Sequence, residues 1–414
     1  MKNLIPLLIA GAIALSATAA VPAKKPNQRL NLRGDDPSAT RAKVRSTYGI
    51  RKNPLRGKNR IDIIDELGGS KKTEAAVKKA LDWLTKMQKE DGHWEETQSK
   101  VAHTGLAILV YLSYGVTPKD ETPQGKALTK ALDWLIEQVP ESGNMRDGGQ
   151  MYGQAIGTLA LGEAYGITRL EKLRLPLRRA TAFLIEAQNP KSGGWRYQPH
   201  PSLTHSGDLS VSGWVVMALR STEMAGLKIP NLILDKTQRF LDRVAAGPNQ
   251  GKYGYKDSVP NFCMTSVGMY CQQLFGLKPD DKRQIESATY LSLHLPTEKQ
   301  KNYYYWYYGS LAAFLHGGDV WHDWNKKIVP ILLKKQNDDG SWKAEGKRAK
   351  REGTHVTTCW AALSLTVYYR YLPMLQGYQR RDLGKGPGTP FGLQPNRPNS
   401  ERIDLKAKPQ PKKK

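Results

Sequence analysis

Two sets of side chains in this sequence have the types and spacing to do chemistry. In His205-Ser206-Gly207-Asp208 an imidazole stands three residues before a carboxyl group. Such a pair suits general acid–base work, because histidine titrates near neutral pH. Tyr303-Tyr304-Tyr305-Trp306-Tyr307-Tyr308 places six aromatics in a row, and a helix turns such a run in every direction, so some of them face a neighbour and some a central space. Aromatic faces stack on isoprenoids, sugar rings or cations, which makes Tyr304, Tyr305 and Trp306, together with Tyr152, His103 and His355, candidate ligand-binding residues. Plainer roles compete with each. Asp208 before an apolar helix serves as an N-cap, and the aromatic run fills a core.

The elements that position these groups follow from periodicity. Stretches near 73–88, 124–138, 174–188, 231–245, 280–294 and 321–336 are amphipathic, as in Ala76, Ala80, Trp83, Leu84 and Met87. They alternate with stretches apolar nearly all round, near 101–114, 150–165, 208–226, 263–276, 303–316 and 355–371. A helix apolar on every side is buried on every side. The alternation therefore predicts an all-α fold, six hairpins with an outer ring of half-wet helices around an inner ring of dry ones. The inner stretches align on Gly105, Gly157, Gly213, Gly268, Gly309 and Cys359. Glycine inside a helix costs about 1 kcal/mol against alanine, so its recurrence predicts close approach between inner helices. The inner helices then start at Lys100/Val101, Tyr152/Gly153, Asp208/Leu209, Cys263/Met264, Tyr304/Tyr305 and Thr354/His355. A ring gathers these starts into one rim, where helix N-termini suit anions, and it sets His103 beside His355.

One turn is written three times: Gln88-Lys89-Glu90-Asp91-Gly92-His93-Trp94, Gln188-Asn189-Pro190-Lys191-Ser192-Gly193-Gly194-Trp195 and Gln336-Asn337-Asp338-Asp339-Gly340-Ser341-Trp342. Degenerate copies run from Gln138 to Gly143-Asn144-Met145 and through Gly251-Lys252-Tyr253-Gly254-Tyr255. Repetition of this kind sets architecture before any residue is assigned a role.

These turns resemble the repeated glutamine–tryptophan motif of the terpenoid cyclase and protein prenyltransferase superfamily, which includes squalene cyclase-like repeat proteins. The resemblance covers about 70–372 and implies an α6/α6 toroid with a cavity at one mouth. The superfamily's catalytic motifs are missing. Squalene–hopene cyclases use Asp-x-Asp-Asp, whereas Asp35-Asp36, Asp280-Asp281 and Asp338-Asp339 lack the first carboxylate. Prenyltransferase β-subunits hold zinc through Asp-x-Cys and a distant His. Asn261-Phe262-Cys263 replaces that carboxylate by an amide, while His355-Val356-Thr357-Thr358-Cys359 resembles the segment bearing the His. The expectation is a toroid without these chemistries, with no cofactor and with zinc at Cys263 and His355 disfavoured. An apolar lipid or a peptide would occupy the central cavity. An exported cyclase-like enzyme with Asp208 as a lone acid, and an α6/α6 carbohydrate-active enzyme, are the rivals. The latter needs two carboxylates roughly 5–9 Å apart, and Asp208 has no acidic neighbour on the rim.

The ends of the chain have a different character. Residues 1–19 carry a positive start, an apolar run from Leu4 to Ser16 and the small-x-small Ala17-Thr18-Ala19, the form of a cleaved export signal. The run is shorter than the ~20 residues a membrane span needs. The formal net charge is +25, and residues 61–375 hold only +7 of it. The excess lies in a basic N-terminal segment, 20–69, and a Pro/Lys-rich tail, 373–414. Both are too poor in apolar residues to fold alone. They suit an anionic envelope surface, and no motif points to specific nucleic-acid binding. A periplasmic or extracellular location follows as the expectation. Cys263 and Cys271 stand eight residues apart on one helix, ~12 Å, too far for a disulfide. Cys263, Cys271 and Cys359 are therefore expected to be free thiols.

Overall fold

Three of the six hairpins begin with a helix whose start is written in a capping side chain, Ser70, Thr122 or Asp281. In the computed structural model, Ser70 opens α1 (Lys71–Met87) with a reciprocal capping box to Thr73, and the helix buries Ala76, Val77, Ala80, Leu81 and Leu84 along one face. Its partner α2 (Lys100–Tyr114) is capped by Ser99, ends on left-handed Gly115 and is buried along nearly its whole length. The structure describes residues 64–97, 99–148, 150–199 and 207–367, without the side chains of 347 and 348. His205, the export signal 1–19, residues 20–63 of the basic segment and everything beyond 367 lie outside the described residues.

The pattern continues through α3 (Pro123–Glu137), α4 (Gln150–Thr168), α5 (Arg174–Glu186), α6 (Leu209–Met224), α7 (Asn231–Arg243), α8 (Phe262–Leu274), α9 (Lys282–Ser292), α10 (Tyr303–His316), α11 (Gly318–Lys335) and α12 (Gly346–Leu365). The even helices touch in order, α2–α4–α6–α8–α10–α12, and α12 returns to α2, so the inner ring closes. Outside it α1 touches α3 and α11. Cys263, Cys271 and Cys359 are free. No helix of the described residues is long and apolar enough to cross a membrane.

The three Gln/Trp turns hold the rings together by the same bonds. The indole N–H of Trp94, Trp195 and Trp342 donates to Leu84, Leu184 and Leu332 of the helix just left, at 2.8, 2.7 and 2.8 Å. Their backbone amides donate to Thr104, Ser212 and Thr358 on the following inner helix. The glutamine amide reaches the next outer helix. Gln88 donates to Ala127 O, Gln188 to Ile233 O and Gln336 to Ala76 O. The last bond ties the end of α11 to α1 and closes the outer ring. At Gly193, φ is +78° and an added Cβ would sit 2.0 Å from the Lys236 carbonyl oxygen, so glycine alone lets the turn touch α7.

Three expectations change in detail. Gln138 does not serve the second turn, since its amide bonds only Trp134 O of its own helix. Gln154 on α4 takes that role, bonding Gly143 O and Ala180 O. The fourth turn is a short antiparallel ribbon, β1 (Ala245–Ala246) with β2 (Lys252–Tyr253), and buried Tyr253 stands where tryptophan would. Of the aligned inner glycines, Gly105, Gly157 and Gly213 admit Ile156, Val101 and Val267 of adjacent inner helices. Gly268 and Gly309 instead make room for the rings of Tyr253 and Trp324. Close inner-helix packing explains only half of the ring.

Candidate functional site

Each inner helix starts at one mouth of the ring, and side chains on a helix lean toward its N-terminus. A cavity of about 920 Å³ opens there. Four inner helices contribute wall residues at i, i+4 spacing: Ala102 and Leu106, Tyr152 and Ile156, Ser210 and Trp214, Val356 and Trp360. Four residues are one turn, ~6 Å further along the axis. On α4 and α6 the member nearer the mouth carries a hydroxyl, and on all four helices the deeper member is apolar or aromatic. Thr97, Ser99, Tyr197 and Tyr255 add hydroxyls from the connecting loops, and Arg351 with Glu352 adds opposite charges from α12.

A hydrogen-bonded chain backs one wall. Tyr152 donates to the Ser210 hydroxyl at 2.6 Å, and Ser210 donates to the Asp208 carboxylate at 2.8 Å. Asp208 also caps α6 by accepting from the Val211 amide at 2.9 Å. Burial pushes its carboxyl group up, against those bonds and the charge of Arg196. Beside it the Tyr197 and Tyr255 hydroxyls meet at 2.7 Å. Burial, then the Tyr197 bond, raises Tyr255. Asp208 is thus the expected cap, and it also stands one serine away from a cavity tyrosine.

The opposite wall holds two histidines. His103 lines the cavity, and its Nδ1 lies against the Ser99 carbonyl while Nε2 faces Thr97 Oγ1 at 3.2 Å. His355 lies behind it, edge to face at 5.0 Å, among Trp94, Trp83 and Cys359. Burial lowers both imidazoles, and for His355 the nearness of His103 adds to it. Lys100 takes no part, being engaged with Glu95 at 3.3 Å.

Of the residues singled out from the sequence, Tyr152 and His103 line the cavity. Tyr304 is fully buried and donates to Ser210 O behind the wall. Tyr305 donates to His294 O and packs on Phe262 and Trp324, and Trp306 donates to Gln300. These two belong to the packing around α10 rather than to the cavity. Cys263, near Tyr305, and His355, beside α2, have separate surroundings. Among the described residues no three His, Cys, Asp or Glu side chains gather as metal ligands.

Sequence reasoning missed Trp214, Trp360, Ser210, Tyr197 and Tyr255. A signal for the first two was present: each directly follows an aligned small residue, Gly213 or Cys359, as cavity residue Leu106 follows Gly105.

No family model matches the chain, and no curated protein matches it. Two solved structures share the architecture. An inactive variant of the α-1,6-mannanase GH76A of Salegentibacter sp. HEL1_6, in complex with α-1,6-mannotriose, aligns over 73% of this chain and 99% of its own. The TM-score is 0.52 at 8% identity. A variant of the type II terpene cyclase MstE from Scytonema aligns over 73% of this chain and 98% of its own, with TM-score 0.50 and 14% identity. At such identities the likeness establishes the α/α-toroid, terpenoid cyclase-like fold.

Proposed function

We propose that this chain is an exported, non-catalytic binding toroid that holds an amphipathic small molecule in its inner ring. The observation that carries the reading is the gradient along the cavity, from hydroxyls at Tyr152 and Ser210 to Ile156, Trp214 and Trp360 one turn deeper. The volume of about 920 Å³ suits a small molecule, for which sites of roughly 300–1,000 Å³ are usual. The missing Asp-x-Asp-Asp and Asp-x-Cys motifs favour retention over turnover. The signal-like residues 1–19 support export, and the basic segments 20–69 and 373–414 support attachment to an anionic envelope surface.

The test is native mass spectrometry of the protein taken gently from its own envelope fraction, beside Trp214→Ala. A stoichiometric lipid-sized adduct on the first, lost or depleted on the second, is expected. A bare mass for both in repeated preparations sinks the reading.

A second reading has one specific observation in its favour. The Asp208–Ser210–Tyr152 chain joins a carboxyl group of raised pKa to the cavity surface, as a proton donor for a cyclase-like reaction would require. Glycoside chemistry is the third possibility that shares the fold, the mannanase being bound to mannotriose. Conversion of a polyprenyl substrate or of α-1,6-mannotriose that disappears in Asp208→Asn would replace binding by catalysis.

A further inference from the structure

The ends of the inner helices carry an electrostatic pattern that narrows the ligand, given the binding reading above. Bare helix N-termini at one mouth attract anions, and here three of them are already occupied by carboxylates of the chain itself. Asp147 accepts from the Val101 amide at 2.9 Å and from the Ser99 hydroxyl at 2.6 Å, covering α2. Asp208 covers α6 through the Val211 amide. Glu96 accepts from the Thr354 and His355 amides at 2.8 and 2.5 Å, where Gly353 (φ +91°) breaks α12 and its inner portion starts afresh. α8 and α10 are capped by the neutral side chains of Asn261 and Asn302.

Among the lining residues Arg351 is the one Lys or Arg, and Glu352 is the one carboxylate. His103 and His355 are held toward the neutral form by burial, and Arg351 is followed by Glu352 in the same lining. The remaining polar lining is dominated by hydroxyls, which donate and accept with no preference for charge.

We infer that the mouth selects an uncharged, hydroxyl-bearing polar end on its ligand and rejects a phosphate or carboxylate of the same chain length. At the starts of α2, α6 and the inner portion of α12 the anion-favouring field is already met by Asp147, Asp208 and Glu96, so an anionic head near these three meets filled N-termini and like charge.

A tail-matched series tests this on the full chain. Monooleoylglycerol, oleate and oleyltrimethylammonium are delivered as monomers from cyclodextrin at pH 8, and their affinities are measured by calorimetry. The neutral head is expected to bind at least tenfold more tightly than oleate. In the double variant Asp147→Asn/Glu96→Gln, whose amides keep an acceptor at each cap, the oleate penalty should shrink several-fold. Oleate binding as well as the glycerol ester, or the ammonium binding best of the three, overturns the inference while leaving the cavity a binding site. Failure of all three to bind removes the binding reading and this inference with it.

Discussion

The ring of His103 meets His355 edge to face at 5.0 Å, one imidazole on the cavity wall and the other sealed behind it. Both lie below the ordinary value of 6.5 because burial disfavours the charged form, and each charge would also disfavour the other. An unfolded chain takes up these protons near pH 6.5, whereas the folded one resists. Stability is then intact well above pH 6.5 and falls on acidification toward the lowered folded values. The slope is at most about 1.4 kcal/mol per pH unit for each histidine. Melting temperature should fall between pH 7.5 and 5.5, and fall less in His355→Gln. A variant as acid-sensitive as the parent contradicts the assignment.

Gln336 and Gln138 stand at the ends of outer helices but make different bonds. Gln336 joins α11 to Ala76 O of α1, while Gln138 reaches only its own helix. Gln336→Ala should cost about 1–3 kcal/mol through a lost tie and a carbonyl left unpaired. Gln138→Ala should stay within about 0.5 kcal/mol. Equal losses in urea denaturation would remove ring closure as the cause.

Gly193→Ala combines a left-handed backbone with a Cβ placed 2.0 Å from Lys236 O. Strain and displacement of α7 should together cost about 2–4 kcal/mol. Thermal unfolding within 1 °C of the parent would show that the turn relaxes freely.

Trp214 separates packing from recognition. Its indole nitrogen is buried without a hydrogen-bond partner, and its ring stacks on Tyr307 at 5.6 Å. Trp214→Phe removes an unsatisfied donor, so stability should change by less than about 1.5 kcal/mol. Ligand affinity should fall because the cavity wall loses area. Stability lost with affinity untouched would place Trp214 in the core alone.

Periodicity carried the architecture because burial acts on every residue of a helix and leaves a repeated trace. The helices of the double ring, their alternation and the tie-bearing turns were legible from stripes such as Ala76, Ala80 and Leu84. The cavity was less so. Tyr305 and Tyr152 are the same residue type near equivalent helix starts, yet one bonds His294 O outside the cavity and the other lines it. Only the rotation of each helix about its own axis decides this, and that angle is set by neighbours such as Phe262 and Trp324. Gln154 replaced Gln138 for a similar reason, since an amide can reach the same carbonyls from a different helix.

The bond from Gln336 to Ala76 spans nearly the whole described chain, and α12 closes on both α1 and α2. Until the sixth hairpin exists, the first shows an uncovered apolar flank to whatever is near. A growing chain therefore carries two sticky edges that only its own last segment can satisfy, so closure of the ring waits for the sixth hairpin. The same closure makes the starting point arbitrary. If residues 71 and 365 were joined by a flexible linker and the ring opened at the exposed stretch 256–260 before α8, the gene would begin elsewhere and the circle would remain.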